Sequence, residues 1–312
     1  MWISLAEGAG PVATIESDLS VNGGGFGYRL SFVATSAMPE LVSESLLDVA
    51  TGQELFQRDG REFSIGGDTA GNAPLAESVF AFYKDPRERL ITPVGRTLSE
   101  IRIYRQFLTT GRYAQSRFGI VPSGLPLRRS TLQDGGDNLA LVLHELDFRG
   151  FENLIGEYLR KLNDRFSGVK VKVEQVAQTY LQETGLIERL PATRMSDGTL
   201  KFLCLLAVLL DPDVPPLLCI EEPEVGLHPE AIQIVADLLI EASEKTQIVV
   251  TTHSESLVDA MSDRPESVLV CERDFDNGTQ LRQLDSKQLR LWLKRYTLGQ
   301  LWRKGEIGGT RW

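Results

Sequence analysis

Residues 194–253 constrain the fold most strongly, because two short apolar runs in this stretch are separated by one amphipathic helix. The first run, 216–220, reads Pro-Leu-Leu-Cys-Ile, and the second, 247–252, reads Gln-Ile-Val-Val-Thr-Thr. Between them, residues 229–245 carry apolar side chains at helical spacing. Continuous apolar strands that alternate with helices are typical of a parallel sheet covered by helices on both faces. The stretch therefore predicts an α/β fold.

Two further segments extend this pattern. Residues 200–210 are predicted to form a very apolar helix, and residues 267–271 are predicted to form a third buried strand. Ligands of such sheets bind beyond the carboxyl ends of the strands. We therefore expect Glu221, Glu222 and His253, which follow the two apolar runs, to lie at one edge of the sheet.

The first part of the chain predicts antiparallel β-structure instead. Residues 11–35 alternate around an Asn-Gly-Gly-Gly cluster, which predicts a hairpin, and residues 54–57 and 62–65 predict a second strand pair. Residues 66–73 have two glycines spaced as in a phosphate-binding loop, but Asn and Ala replace the required Lys and Ser/Thr. We interpret this segment as the tip of a hairpin.

The middle of the chain, from about residue 84 to 190, has a mostly helical pattern. Helical faces are predicted at 98–108, 139–146 and 151–162. Residues 169–173 alternate Val with charged residues, which predicts a half-exposed strand with its partner in 176–184. We interpret the region as a helical lid with a small β extension.

Composition excludes several classes of protein. The formal net charge of −10 leaves no global basic field that would hold nucleic acid. The three cysteines, Cys204, Cys219 and Cys271, are widely spaced, which fits a reducing compartment rather than a disulfide framework. The sequence has neither a signal peptide nor a window approaching the ~18 apolar residues of a membrane span. We expect a cytoplasmic protein without membrane contact.

The adjacent carboxylates of Glu221 and Glu222 can divide two tasks between them. Successive strand residues point to opposite sides, so one carboxylate can face a magnesium ion while the other faces an attacking water. Mg²⁺ prefers oxygen ligands, and a nearby carboxylate can orient or deprotonate the nucleophile in phosphoryl transfer. The alternative is a solvated pair of glutamates after a strand.

The histidine and a polar tetrapeptide complete the candidate chemistry. His253 can donate to developing charge on a γ-phosphate, or it can simply be bonded to backbone carbonyls. Residues 196–199 read Ser-Asp-Gly-Thr, and Ser196 or Asp197 can cap the following helix. The free N–H groups at such a helix N-terminus bind anions, including phosphate, although the tetrapeptide alone is an ordinary cap.

Taken together, these motifs resemble those of ABC-type ATPases in the RecF/SMC-like and OLD-like group of predicted ATPases, which are P-loop NTPases of the AAA type. The signature motif is matched by 194–199, the Walker B motif by 218–224, the D-loop by 224–229 and the switch-histidine segment by 251–254. Residues 296–302 and the later Gly308-Gly309 pair are similar to the C-terminal tail of this group. The resemblance is specific over about 190–312.

The resemblance implies a role for each matching residue. Glu221 takes the metal-side Walker B position, usually Asp, and the longer Glu can hold Mg²⁺ through water. Glu222 is the implied catalytic base or water-orienting residue, and His253 the implied sensor of the γ-phosphate. The implied signature residues, which would bind the ATP of the opposite protomer, are Ser196, Asp197, Gly198 and Thr199. ATP and Mg²⁺ are thus the implied cofactors, and an ATP-dependent homodimer with two sandwiched nucleotides is the implied assembly.

The sequence departs from the family pattern in one respect. It contains no G-x-x-x-x-G-K-[ST] sequence, and no Q-loop can be placed. We therefore expect a truncated P-loop core in three parts. These are a β subdomain over 1–83, the helical lid over 84–190, and the C-terminal ATPase core over 191–312. We also expect the isolated chain to bind ATP poorly.

Three functional hypotheses follow. The first is a RecF/SMC-like ATPase in DNA maintenance or defence, acting on DNA or on a partner protein. The second is a degenerate ATPase that serves as a non-catalytic scaffold or is completed by a partner chain. The third, an OLD-type nuclease, is disfavoured because too few residues follow His253 to form a nuclease domain.

Overall fold

The computed structural model describes residues 12–33, 38–85, 89–108, 131–174, 176–274 and 278–309. The chain divides into two compact units, Met1–Ile101 and Arg102–Trp312. The two units together have a mixed α/β architecture with both parallel and antiparallel sheets. Within the described ranges, no helix is long and apolar enough to cross a membrane.

The first unit is built on a six-stranded antiparallel sheet with the strands in chain order. The strands are β1 (Val12–Val21), β2 (Gly24–Val33), β3 (Glu40–Asp48), β4 (Gln53–Asp59), β5 (Glu62–Ile65) and β6 (Asp68–Asn72). Asn22 and Gly23 both have positive φ, as the tight turn between β1 and β2 requires. The predicted hairpin and the predicted second strand pair are confirmed. Gly66 and Gly67 form the turn between β5 and β6, so the hairpin-tip interpretation of 66–73 is confirmed for these two residues only, because 68–72 form the strand β6.

Two short helices, α1 (Val79–Phe82) and α2 (Ile91–Ser99), complete this unit. The apolar side chains of the sheet and of both helices form one buried cluster. Its members include Phe26, Leu46, Phe56, Val79 and Val94.

A carboxylate, Glu44, is fully buried in this unit and bonded at both oxygens. Oε1 accepts hydrogen bonds from the hydroxyls of Tyr28, at 2.8 Å, and Ser78. Oε2 accepts from the Val79 N–H at 2.9 Å and lies 3.9 Å from Nη1 of Arg58. Burial and the nearby Glu44 carboxylate raise the pKa of Tyr28. The network fixes α1 to the sheet.

The guanidinium of Arg58 is buried beside it, with a fully covered side chain. It donates to three backbone carbonyls, those of Gly60 at 2.6 Å, Pro74 at 2.7 Å and Glu77 at 2.5 Å. The fork of donors on one guanidinium thus ties the loop before α1 to the β4–β5 turn.

The second unit contains the remaining described elements. Its helices are α3 (Leu139–Phe148), α4 (Glu152–Leu162), α5 (Asp197–Leu209), α6 (Pro229–Ser243), α7 (Glu255–Asp259), α8 (Ser286–Leu289) and α9 (Leu298–Arg303). Its strands are β7 (Arg102–Tyr104), β8 (Phe166–Val173), β9 (Ala177–Glu183), β10 (Leu190–Pro191), β11 (Leu217–Glu221), β12 (Gln247–Thr251), β13 (Leu269–Asp274) and β14 (Gly278–Gln283). The predicted strand over 169–173 and its partner are confirmed by the antiparallel pair of β8 and β9.

A three-stranded sheet in the order β12-β11-β7 forms the centre of this unit. Both pairings are parallel, with Ile220 opposite Val250 on one side and opposite Tyr104 on the other. The predicted parallel arrangement of the two apolar runs is confirmed. Helix α5 packs against α3 and α6, and nine of its 13 residues are buried.

Two predictions about this sheet are wrong. A helical face was expected over 98–108, but α2 ends at Ser99 and β7 follows. A strand of three residues is too short for an alternating pattern, and it is held by pairing with the distant β11. The third predicted strand, 267–271, does not join the parallel sheet, because β13 pairs antiparallel with β14. An apolar run does not specify its pairing partner.

The predicted burial of the 247–252 strand also needs correction. Val249 in β12 is 48% exposed, whereas Leu218 and Ile220 in β11 are buried. Among the described strands, β12 pairs on one side only, so its outer part is not covered.

The glycines near the C-terminus allow the end of the chain to pack closely. The Gly299 N–H donates to Asp259 Oδ1 at 2.7 Å, and a Cβ added there would lie 2.6 Å from the Glu255 carbonyl oxygen. The Gly309 N–H donates to Glu272 Oε1 at 2.8 Å. Close backbone approach explains the glycine at 299, whereas Gly309 has a φ of 74°, which favours glycine.

Candidate functional site

The end of β11 forms a strained turn. Glu221 is the last residue of the strand and pairs in register with Thr251. The Glu222 N–H donates to the Thr251 carbonyl at 2.9 Å, but Glu222 has a φ of 42°, in the left-handed region that non-glycine residues seldom adopt. The strand alternation expected for the two glutamates therefore stops at Glu221. We call residues 222–227 the carboxylate turn.

Glu222 and His253 come together at the carboxyl ends of β11 and β12. Glu222 Oε1 lies 3.7 Å from His253 Nε2, which is longer than a hydrogen bond. The two side chains are 46% and 55% exposed, respectively, so solvent or a ligand can reach both. A carboxylate and an imidazole placed in this way can act together on one water molecule.

Glu221 is exposed at the same edge of the sheet. Within the described ranges, no group of three or more His, Cys, Asp or Glu side chains is arranged to hold a metal ion. Mg²⁺ in phosphate chemistry is commonly held by one or two carboxylates together with waters and substrate phosphates. An accessible single carboxylate therefore fits Mg²⁺ that arrives with a nucleotide.

The tetrapeptide 196–199 begins α5. Ser196 is the N-cap, and its Oγ accepts a hydrogen bond from the Thr199 N–H at 3.1 Å and lies 2.8 Å from Thr199 Oγ1. Asp197 lies in the first turn, where a negative charge is favourable. Capping of this helix by Ser196 is thus confirmed, while the other possible cap, Asp197, is helical.

Gly198 brings the start of α5 against the carboxylate turn. A Cβ added at Gly198 would lie 2.9 Å from the Gly226 carbonyl oxygen, closer than real contacts allow. The residue is therefore glycine because the two backbones touch.

Lys201 strengthens the same contact and was not predicted as a site residue. Its Nζ donates to the Val225 carbonyl at 2.6 Å and to the Glu222 carbonyl at 3.2 Å. Burial lowers the pKa of Lys201, and the negative charges of Glu224 and Glu222 oppose that shift. The sequence signal that could have revealed this role is the presence of a lysine inside the otherwise apolar run 200–210.

Glu224 joins the carboxylate turn to the histidine segment, and this role was also missed. Its Oε1 accepts from the Thr252 hydroxyl at 2.6 Å and from the His253 N–H at 3.0 Å. Its Oε2 is a buried atom without a hydrogen-bond partner among the described residues. These hydrogen bonds could not be predicted from the sequence, because the donor of one of them is a backbone N–H.

Residues 137–259 match the family described as "AAA domain, putative AbiEii toxin, Type IV TA system". The match includes the start of α5, the carboxylate turn and His253. The resemblance of these residues to AAA-type predicted ATPases is therefore confirmed.

Solved structures of SMC ATPase heads are also similar. One comes from work on ATP-driven dimerization and DNA-stimulated activation of SMC ATPases and is 16% identical to this chain. The match covers 49% of this chain and 94% of the SMC chain, with a TM-score of 0.36. A second, an Smc head bound to the C-terminal winged-helix domain of ScpA, is 13% identical over 84% of this chain and 76% of its own, with a TM-score of 0.43. A third, an Smc head from Pyrococcus furiosus bound to the C-terminal domain of ScpA, is 12% identical over 86% of this chain and 79% of its own, also with a TM-score of 0.43. TM-scores below 0.5 are too low to establish a shared fold.

Proposed function

We propose that this chain supplies the water-activating and trans-acting parts of an ABC-type, RecF/SMC-like ATPase that hydrolyses ATP at a dimer interface. The approach of Glu222 and His253 at one edge of a parallel sheet, 3.7 Å apart, carries the proposal. The match of residues 137–259 to an AAA domain supports it. A role in DNA maintenance or defence, with DNA or a protein as partner, rests on the resemblance alone.

In this proposal Glu222 orients or deprotonates the attacking water, and His253 donates to the charge that develops on the γ-phosphate. Glu221 would hold Mg²⁺, directly or through water, and the bound ion would supply neutralisation of the phosphate charge. The side chains of Glu222 and His253 are both half exposed, so they can reach a ligand without rearrangement of the sheet.

The start of α5 contacts a nucleotide held by a second protomer. Its residues 196–199 lie at the N-terminus of a 13-residue helix, where backbone N–H groups and the helix dipole favour a phosphate. Val225 in the neighbouring carboxylate turn is 56% exposed, which fits a surface that another protomer covers. The assembly in this proposal is an ATP-dependent homodimer.

In this proposal the phosphate cradle is supplied by another segment or another chain, because this sequence contains no G-x-x-x-x-G-K-[ST]. The printed chain alone is then expected to bind Mg-ATP more weakly than micromolar and to hydrolyse none. Micromolar binding by the printed chain, measured by calorimetry, would contradict this part of the proposal.

The decisive experiment reads the DNA upstream of the Met1 codon and uses the longest in-frame product. We expect a strand, a G-x-x-x-x-G-K-[ST] loop and a helix, and Mg-ATP hydrolysis by that product. Glu222→Gln should lower kcat about 10²-fold or more and preserve ATP binding, because only the water-orienting group is removed. Glu244→Gln, an exposed change of the same charge, should leave kcat unchanged.

The alternative function is a non-catalytic scaffold, or a subunit completed by a partner chain. The missing G-x-x-x-x-G-K-[ST] sequence is the observation that favours it. Stop codons directly upstream of Met1, or an extended product that binds a partner but hydrolyses no ATP, would decide for this alternative.

A further inference from the structure

Three segments of the site are held together by two partly buried side chains, those of Lys201 and Glu224. Lys201 lies in the second turn of α5 and donates to two carbonyls of the carboxylate turn, those of Val225 and Glu222. Glu224 lies in that turn and accepts from Thr252 and from the His253 backbone. Together they form one path from α5 to the histidine.

The bond from Lys201 to Glu222 acts on a strained residue. Glu222 has a φ of 42°, and its N–H and its carbonyl are both bonded, to Thr251 and Lys201 respectively. A left-handed conformation at a non-glycine residue persists only where the surroundings hold it. The ammonium of Lys201 is therefore part of what sets the direction of the Glu222 side chain.

The bond from Glu224 acts on the other member of the pair. It fixes the backbone N–H of His253, so the start of the imidazole side chain is held relative to the carboxylate turn. The hydrogen bonds that the Glu224 carboxylate accepts are charge-assisted. Its second oxygen, Oε2, is buried without a hydrogen bond among the described residues. A buried, half-satisfied carboxylate is costly, which sets Glu224 apart from an ordinary surface glutamate.

We propose that Lys201 and Glu224 are positioning residues that couple the nucleotide-facing end of α5 to the Glu222–His253 pair. Contact of Ser196 and Gly198 with a nucleotide shifts α5, Lys201 passes that shift to the carboxylate turn, and Glu224 passes it to His253. The site is thus competent for hydrolysis only when α5 is engaged. This inference rests on the proposed function for its biological meaning, but its structural part can be measured without nucleotide.

The first test uses the amide signal of His253 in the nucleotide-free chain. Labelling with ¹⁵N-histidine yields three backbone signals, since the chain has three histidines, and His253→Gln assigns the relevant one. Glu224→Ala should move this signal upfield and speed its hydrogen exchange about tenfold, because the N–H loses a charged acceptor. Glu224→Gln, which keeps an oxygen acceptor, should move it less.

The test of coupling changes Lys201, which has no hydrogen bond to the reporter. Lys201→Met should shift the His253 amide signal, whereas Lys201→Arg, which keeps charge and donors, should restore the wild-type position. Lys245→Met at an exposed site is the matched control and should have no effect. A His253 amide that stays unchanged in Glu224→Ala and in Lys201→Met would overturn the inference.

The second test is kinetic and uses the longest in-frame product. Lys201→Met should lower kcat about 10²-fold with KM nearly unchanged, and Lys201→Arg should recover most of the rate, because misplacement of a catalytic group by about 1 Å has an effect of this size. If the wild type hydrolyses ATP and Lys201→Met keeps its kcat, the coupling is wrong and the proposed function stands. If the wild type does not hydrolyse ATP, the proposed function fails, and the amide signals still decide whether the two residues are coupled to His253.

Discussion

The two units each contain a polar network around a glutamate, and the networks are built in opposite ways. Around Glu44 every carboxylate oxygen is bonded, and the side chains of Glu44 and Arg58 are fully buried. At the candidate site, Glu222 and His253 are half exposed and too far apart for a hydrogen bond. Buried polar networks stabilise a fold only when all their members are satisfied. Groups that must meet a substrate stay accessible to solvent, so the contrast separates a structural network from the proposed functional one.

The strongest way to break this comparison is to remove Arg58. Arg58→Met should lower the free energy of unfolding of the first unit by about 3–5 kcal/mol, because Glu44 remains buried without its countercharge. Arg29→Met is the matched control, since Arg29 pairs with Glu16 at 2.7 Å on the surface and should contribute about 0–1 kcal/mol. Urea denaturation followed by circular dichroism measures both, and equal effects would show that burial of the pair does not matter.

A second test uses a buried hydroxyl in the other unit. Tyr104 is 3% exposed and donates to the Leu132 carbonyl at 2.8 Å, and burial raises its pKa to about 12. The folded chain therefore holds this proton more tightly than the unfolded chain does, so stability is lost as pH rises from about 10 to about 12. Between about pH 10 and about pH 12, the free energy of unfolding of Tyr104→Phe should therefore fall by about 1–3 kcal/mol less than that of the wild type. Denaturation at several pH values measures it, with Tyr180→Phe as the control, because the Tyr180 hydroxyl lies in a solvent-exposed hydrogen bond to Gln178. Parallel pH curves for Tyr104→Phe and wild type would refute this role of Tyr104.

The contact between α5 and the carboxylate turn offers a smaller effect on stability. Gly198→Ala places a Cβ against the Gly226 carbonyl oxygen, and such overpacking costs about 1–3 kcal/mol, offset by the ~1 kcal/mol that Ala contributes in a helix. We expect a net loss of about 0–2 kcal/mol in thermal or urea denaturation. Gly27→Ala, where the nearest atom is 3.8 Å away, is the control for the added methyl group. A stabilised Gly198→Ala variant would mean that the two backbones separate easily.

The smallest stability effect is expected at the site itself. Glu222→Gln should change the free energy of unfolding by less than about 0.5 kcal/mol, because the side chain is 46% exposed and makes no hydrogen bond to His253. The same substitution is expected to abolish most ATP hydrolysis, as set out above. A large loss of stability in Glu222→Gln, seen in the same denaturation experiments, would make the site a structural network like that of Glu44.

Local patterns were sufficient for much of the fold and for the members of the candidate site. The hairpin of β1 and β2, the apolar strands β11 and β12, and the cap at Ser196 all follow from neighbouring residues. What could not be predicted depends on contacts distant in sequence. The strand β7 exists through its pairing with β11, and the roles of Lys201 and Glu224 depend on backbone groups more than 20 positions away. Side-chain patterns carry no information about which distant backbone atom a side chain will meet.

The outer side of β12 has a consequence for handling the protein. Among the strands that the structure describes, β12 is paired on one side only and carries the half-exposed Val249, and such an edge strand is a template for pairing with another chain. Concentrated samples of the printed chain should therefore self-associate through β-pairing, in a manner that depends on protein concentration and not on ATP. A dimer seen by gel filtration in the absence of nucleotide would thus be an artefact of that strand, and only an increase in dimer on addition of ATP would report the assembly proposed here.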